Sequence, residues 1–243
     1  MKLAYADVTA YDGDPRFSKI PVEELLSQEY AARRAKLIDP AKANCDVAPG
    51  ALSKSDTTYF TVVDREGNIV SMIQSNYSSF GSGITVEGMG FALQNRGGLF
   101  KLDPKSPDVL AGRKRPFHTI IPAFMQRGDE HIGFGIMGGM NQPLAHAQFV
   151  SNVADYRMNI QQALEEARFT VTAKLGCHLL IESRVGKATL DALTGVGHVL
   201  DVRDAYTAHM GRGNAVMHNS ATGVNLGASD PRADGAAVPE ADH

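Results

Sequence analysis

Asp56-Thr57-Thr58 begins a stretch, Thr57–Val63, rich in threonine, valine and aromatic residues. The plain reading of such a pair is β-propensity. A chemical reading also exists. If the bond before Thr57 is cut, Thr57 gains a free α-amino group with an ordinary pKa near ~8. That amine is a competent base for the residue's own hydroxyl near neutral pH. No histidine is then needed. This suits a chain whose eight histidines form no HExxH or HxxxH pair and which lacks GxSxG, so metal catalysis and an α/β-hydrolase triad are both disfavoured. Gly133 to Gly138 spells a literal GxGxxG. The dinucleotide fingerprint also requires a βαβ unit and an acidic residue at the end of the next strand, whereas Asp155 falls within a helical stretch. Two other uses remain for these glycines. They permit close packing, and Gly138 and Gly139 expose backbone N–H groups before a helix N-terminus, where an oxyanion would be stabilised.

Composition narrows the classes. The 243 residues carry 24 Lys+Arg and 27 Asp+Glu, a net charge of −3 that provides no footprint for nucleic acid or an anionic membrane. No apolar run is long enough to span a bilayer. Hydrophobic residues at 43% indicate a globular chain with a core. Cys45 and Cys177 form no CxxC; one bridge is open to them, and buried free thiols are the expectation. The opening MKLAYADVTAYDGDP lacks the apolar core of a signal peptide, which favours a cytoplasmic setting. It reads as the last turns of a helix whose earlier part lies upstream.

The elements that must position these residues follow from periodicity and turn chemistry. Pro21 suits a helix N1 position, and Ser27 suits the cap of a helix over Tyr30–Leu37. A loop runs from Asp39 to Lys54. Thr57–Val63 and Ile69–Ser75 form a hairpin around the Asp64–Asn68 turn. After a glycine corner at Phe80–Gly83, Gly88–Asn95 reads as a strand. Residues 101–115 read as a polar loop, and His118–Gln126 with His131–Met137 as a second hairpin. Pro143 opens a helix whose buried face carries Phe149, Val150, Val153 and Tyr156. Asn159 and Gln162 form a capping box for Ile160–Arg168. Short strands at Leu179–Glu182, Val199–Val202, Ala215–His218 and Val224–Ala228 follow, with a helix near Ala188–Leu193 and a frayed tail from Arg232. Strands, then helices, then strands indicate α+β architecture.

At this point the chain resembles the γ-glutamyltranspeptidase family of N-terminal nucleophile hydrolases. The resemblance rests on Asp56–Asp64, Gly67-Asn68, Phe80–Gly83, Lys114-Arg115-Pro116, Gly138-Gly139, Asn159 to Phe169, Gly227–Arg232 and Asp234-Gly235-Ala236. It implies part of a four-layer αββα sandwich, the upstream portion of the large subunit being absent. Residues 1–56 then resemble the end of the large subunit and 57–243 the small subunit, together in one structural domain. It implies self-cleavage between Asp56 and Thr57, Thr57 as nucleophile, Ser75 as the hydroxyl bonded to it, and Gly138 and Gly139 as the oxyanion pair. Thr58 matches the second threonine of the motif. No cofactor or metal is implied.

Departures from the family pattern bear on substrate. The positions that hold the glutamyl amino group in true transpeptidases match Tyr77, Arg96 and Leu99, and the serine pair that holds its carboxylate matches His118 and Thr119. Phe117–Pro122 resembles the acylase-like branch instead. Arg96 suits a carboxylate on the acyl group; a solvated surface arginine is the alternative. The expectation is an amidohydrolase or acyltransferase for a small acyl amide, completed by a missing large-subunit segment or a second copy. Two other readings stand beside it: a non-catalytic or unprocessed fragment, and a true glutathione hydrolase.

Overall fold

In a computed structural model, residues 2–45, 56–171 and 176–240 are described. The N-terminal segment holds three helices, α1 (Lys2–Tyr11), α2 (Val22–Leu25) and α3 (Gln28–Ala35). Ser27 caps α3 by accepting from the Tyr30 N–H at 3.1 Å. Pro21 is the residue before α2 rather than its first turn. Most of the loop expected over Asp39–Lys54 lies outside the described residues.

Strands β1 (Asp56–Val63) and β2 (Ile69–Tyr77) form the expected hairpin. The turn is closed by Asp64, which accepts from the Asn68 N–H at 2.7 Å. Strands β3 (Ala123–Arg127) and β4 (Glu130–Met137) pair as the second hairpin. They join β8 (Arg212–Asn219) and β9 (Val224–Ser229) in an antiparallel sheet ordered β3-β4-β8-β9. Helices α4 (Gln142–Ala154) and α5 (Ile160–Glu165) cover one face of that sheet. Phe134 and Ile136 pack there against Phe149, Val153, Ile160 and Leu164. The capping box is present, Asn159 accepting from the Gln162 N–H at 2.8 Å.

The opposite face of β4 receives the β1–β2 hairpin, and here the glycines have their use. A Cβ on Gly135 would lie 2.3 Å from the Tyr59 ring, and one on Gly133 would lie 2.5 Å from Ile69. The GxGxxG spelling therefore marks a sheet-on-sheet contact too close for side chains. The outer face of the hairpin, with Phe60, Val62, Val70 and Met72, is exposed. The described residues thus form helix, sheet and sheet layers.

A third sheet, β5-β6-β7, holds β5 (Phe169–Val171), β6 (His178–Glu182) and β7 (Val199–Arg203), the last two parallel and joined through α6 (Lys187–Gly195).

Four expectations are corrected. Gly88–Asn95 is no strand; its backbone bonds fall in a local turn, with an isolated bridge from Thr85 to Ala92 and the Val86 N–H donating to Phe91 O, rather than in a continuous ladder. β3 starts later than His118, at Ala123, where the Gln142 side chain instead holds the Thr119 O and the Ile121 N–H ahead of it. Cys45 and Cys177 are bonded to each other, their Cα atoms 4.7 Å apart, because the Ala43 N–H donates to Val196 O and lays the segment beside the third sheet. Arg232 is buried in ion pairs rather than frayed.

Candidate active site

Thr57 and Ser75 are register partners at the head of the hairpin, with a register shift between Asp56 and Thr57. Partners of an antiparallel pair place their side chains on one face. Thr57 is buried, and its Oγ1 donates to Ser75 Oγ at 2.9 Å. Asp56 lies in β1 opposite Tyr77, while its side chain lies outside the described residues.

Ser75 Oγ also accepts from the Tyr77 N–H at 2.8 Å and from Arg96 Nη2 at 3.0 Å. Tyr77 has φ 78°, a conformation that costs a side chain of this kind of order 1–3 kcal/mol. Its N–H bond to Ser75 and its buried ring, 5.3 Å from the Arg96 guanidinium carbon, hold it there.

Arg96 is 1% exposed, so the surface alternative is excluded. Its Nη1 donates to Ser75 O at 3.1 Å, and Nε and Nη2 reach Thr119 Oγ1 at 3.3 and 3.2 Å. Among the described residues no carboxylate pairs with it. Burial lowers its pKa, the nearby Tyr77 acting the other way. Local geometry places Arg96 at this point. The Gln94 side chain accepts from its N–H, the Asn95 N–H donates to Asn76 O, and Gly81, at φ 66°, lets Leu93 O approach a spot where a Cβ would meet it at 2.3 Å.

The glycine pair follows the strand that makes the sheet-on-sheet contact. Gly133 lies against Thr61, and Gly135 lies against Tyr59 two residues nearer the head of β1. β4 ends at Met137, and Gly138 and Gly139 come next. Their φ values, 152° and 60°, turn the chain into α4.

Thr119 is buried and joins the cluster through Arg96. His118 does not join it; its ring is bonded to Pro116 O at 3.1 Å and it is exposed. Leu99 closes the single turn that begins at Arg96.

Two residues escaped the sequence reading. Gln142, fully buried at the start of α4, donates to Thr119 O and accepts from the Ile121 N–H at 3.0 Å. It fastens the Thr119 segment beside the glycine turn. A glutamine opening a helix gives no pattern by which to find it. His146 Nε2 accepts from the Ile136 N–H at 2.9 Å. Burial depresses its pKa to about 4, so it stands neutral as a structural acceptor on α4 for the β4 backbone.

The family model for gamma-glutamyltranspeptidase matches residues 1–240, and the chain belongs to that family. The glutathione hydrolase-like YwrD proenzyme of Bacillus subtilis (strain 168) is 37% identical over 98% of this chain and 45% of its own length. The oxamate amidohydrolase proenzyme of Klebsiella pneumoniae subsp. pneumoniae is 34% identical, with the same coverage. The crystal structure of cephalosporin acylase from Bacillus halodurans superposes with a TM-score of 0.88 at 39% identity, over 100% of this chain and 44% of that one. The chain therefore spans less than half the length of these relatives, and the fold is part of the αββα sandwich of N-terminal nucleophile hydrolases.

Proposed function

We propose that this chain is the nucleophile-bearing part of an amidohydrolase or acyltransferase that cleaves itself between Asp56 and Thr57, separating a large-subunit-like segment from a small-subunit-like one. The observation that carries this reading is the 2.9 Å bond from Thr57 Oγ1 to a Ser75 held by Arg96 and the Tyr77 N–H. The proenzyme names of the relatives support it.

In processing, Thr57 Oγ1 attacks the Asp56 carbonyl carbon, the peptide shifts to an ester on Thr57, and water hydrolyses that ester. Asp56 is left as a carboxylate and Thr57 with a free amine. In turnover the amine takes the hydroxyl proton as Oγ1 attacks the substrate amide. The N–H groups of Gly138 and Gly139 receive the oxyanion. The amine then returns the proton to the leaving nitrogen. Water or an acceptor amine resolves the acyl ester.

The acyl group we assign to this site is small and acidic. A buried guanidinium with no carboxylate partner among the described residues, next to the nucleophile, is suited to a carboxylate brought by substrate. The relative named for oxamate, itself an amide bearing a carboxylate, agrees with this. Tyr77 and Thr119 would line the same subsite, with His118 at its rim. Upstream chain, or a second copy, would complete the pocket. A γ-glutamyl substrate is the second reading, favoured by the glutathione hydrolase-like relative.

The test has two parts. Intact mass should reveal products divided at Asp56–Thr57, and Thr57→Ala should remain whole; an uncut wild-type chain would sink the reading. For the processed enzyme, glutaryl p-nitroanilide should be hydrolysed faster than the γ-glutamyl compound, and Arg96→Met should remove that preference. An unchanged glutaryl rate in Arg96→Met would remove Arg96 from the acyl subsite.

A further inference from the structure

The disulfide has a position that the cut makes consequential. Cys45 precedes the Asp56–Thr57 bond and Cys177 follows it, the two cysteines being 132 residues apart. In the uncut chain the bridge closes a loop that contains Thr57, Ser75, Arg96 and Gly138. Once the bond is cut, the same bridge connects two separate polypeptides. We propose that Cys45–Cys177 is the covalent joint that keeps the two products of processing together and keeps the site assembled. This rests on the self-cleavage reading above.

The joint adds to a small set of buried contacts within the described part of the N-terminal segment. Among its described residues only Tyr5 and Asp14 are buried, and α2 and α3 bury none. Its contacts nevertheless fall on the walls of the site. The Tyr5 hydroxyl donates to Met140 O, one residue beyond the glycine pair. Asp14 accepts from the Arg115 N–H at 2.9 Å, and Arg16 donates to Arg113 O at 2.9 Å. These hold the start of the run that reaches Thr119. Losing the segment would slacken both Thr119, which Arg96 touches, and the turn that carries the oxyanion donors.

A covalent link makes these contacts intramolecular, at an effective concentration of order millimolar. Without it they must survive dilution. Opening the bridge takes two electrons and two protons from an external reductant and yields two thiols. It thereby leaves the two products held by non-covalent contacts alone. An oxidising compartment preserves the joint and a thiol-rich one does not.

Denaturing intact-mass measurement of the processed protein, without and with tris(2-carboxyethyl)phosphine, tests this. The expected result is one species without reductant, heavier than the precursor by one water, and two species with it. Reduced enzyme should lose at least tenfold in rate on dilution and gel filtration, while oxidised enzyme holds. Cys45→Ser should give two species without reductant. Two species from unreduced wild type would overturn the joint. Maleimide labelling of unreduced, denatured protein separates the failures. Two reactive thiols would overturn the bridge itself. An uncut chain with no reactive thiol would overturn the cleavage reading, and the joint with it, leaving a loop-closing disulfide.

Discussion

Two places in this molecule bury arginine, and they treat the charge in opposite ways. At the junction of α5, β6 and the end of β9, Arg168 and Arg232 are buried with Asp230 and Glu182. Arg168 meets Asp230 at 2.7 Å; Arg232 meets Asp230 at 3.0 Å and Glu182 at 2.5 Å. The leftover donors go to the end of α5. Arg168 and Arg232 reach Leu164 O at 2.7 and 2.8 Å, Arg184 reaches Glu165 O, and Arg232 reaches Glu166 O. Orphan carbonyls at a helix C-terminus are satisfied by cations there. At the head of β1–β2, Arg96 is also buried, but among the described residues its hydrogen bonds go to neutral groups, Ser75 and Thr119. Charge that is fully answered within the chain holds architecture. Charge with no carboxylate among the described residues, beside the proposed nucleophile, is suited on our reading to answer one from outside.

The comparison breaks or holds on substitution. Asp230→Ala leaves Arg168 and part of Arg232 facing a buried hole in the charge pattern. A loss of about 3–5 kcal/mol is expected from removing one partner of a buried pair. Urea titration measures it, and a loss below about 1 kcal/mol would mean that the network is not what secures this junction. Arg96→Met should behave in the reverse sense. It removes a buried charge that has no carboxylate among the described residues, so its unfolding free energy in urea should change by no more than about 1 kcal/mol, while the rate on an acidic acyl amide falls about 100-fold, the ~2.7 kcal/mol expected of a charge-assisted contact. Equal stability losses in the two variants would erase the distinction.

The next largest effect concerns a buried base outside both clusters, whose pKa burial lowers first and the Arg168 charge lowers further. His146 has its pKa depressed to about 4 by burial, against an ordinary ~6.5 when unfolded. Below ~6.5 the unfolded chain binds a proton that the native one refuses, so stability falls as pH drops from ~6.5 toward about 4. Between pH 7 and pH 5 the expected loss is about 2 kcal/mol. His146→Leu should be less stable at pH 7, because the Ile136 N–H loses its acceptor, yet should show a flatter pH dependence over that window. A slope unchanged by His146→Leu would place the acid sensitivity elsewhere.

Local chemistry made much of this legible beforehand. The β1–β2 hairpin, the Ser27 cap and the Asn159–Gln162 capping box are each determined by neighbours in sequence, and each stands where expected. What was not legible is set by partners far along the chain. Gly88–Asn95 has strand composition but makes no continuous ladder. Phe169–Val171 is only three residues, and the helical pattern before it hid it. Arg232 looked like a frayed tail because its partner Glu182 lies 50 residues away. The cysteines pair because Ala43 bonds to Val196, a contact that no spacing rule foretells. At the site, Thr57, Ser75, Tyr77, Arg96 and Thr119 meet in one cluster, whereas His118 stands apart and Gln142, which fastens Thr119, carried no signal at all.

The smallest expected effect tests whether Arg96 also acts through Ser75. Ser75→Ala removes the acceptor for Thr57 Oγ1 and one of the bonds that hold Arg96. A loss of about tenfold in rate on a glutaryl amide is expected, ~1.4 kcal/mol for a lost hydrogen bond. The informative quantity is the cycle with Arg96→Met. If the guanidinium serves only the substrate carboxylate, the two losses add on a glutaryl amide, and Arg96→Met is silent on an uncharged acyl amide. If it also orients Ser75, Arg96→Met lowers the rate on the uncharged amide too, and the double variant is no worse than Ser75→Ala there. The shared bond at 3.0 Å favours coupling. An additive cycle on the uncharged amide, with Arg96→Met silent, would confine Arg96 to the ligand and make the contrast between the two arginine centres complete.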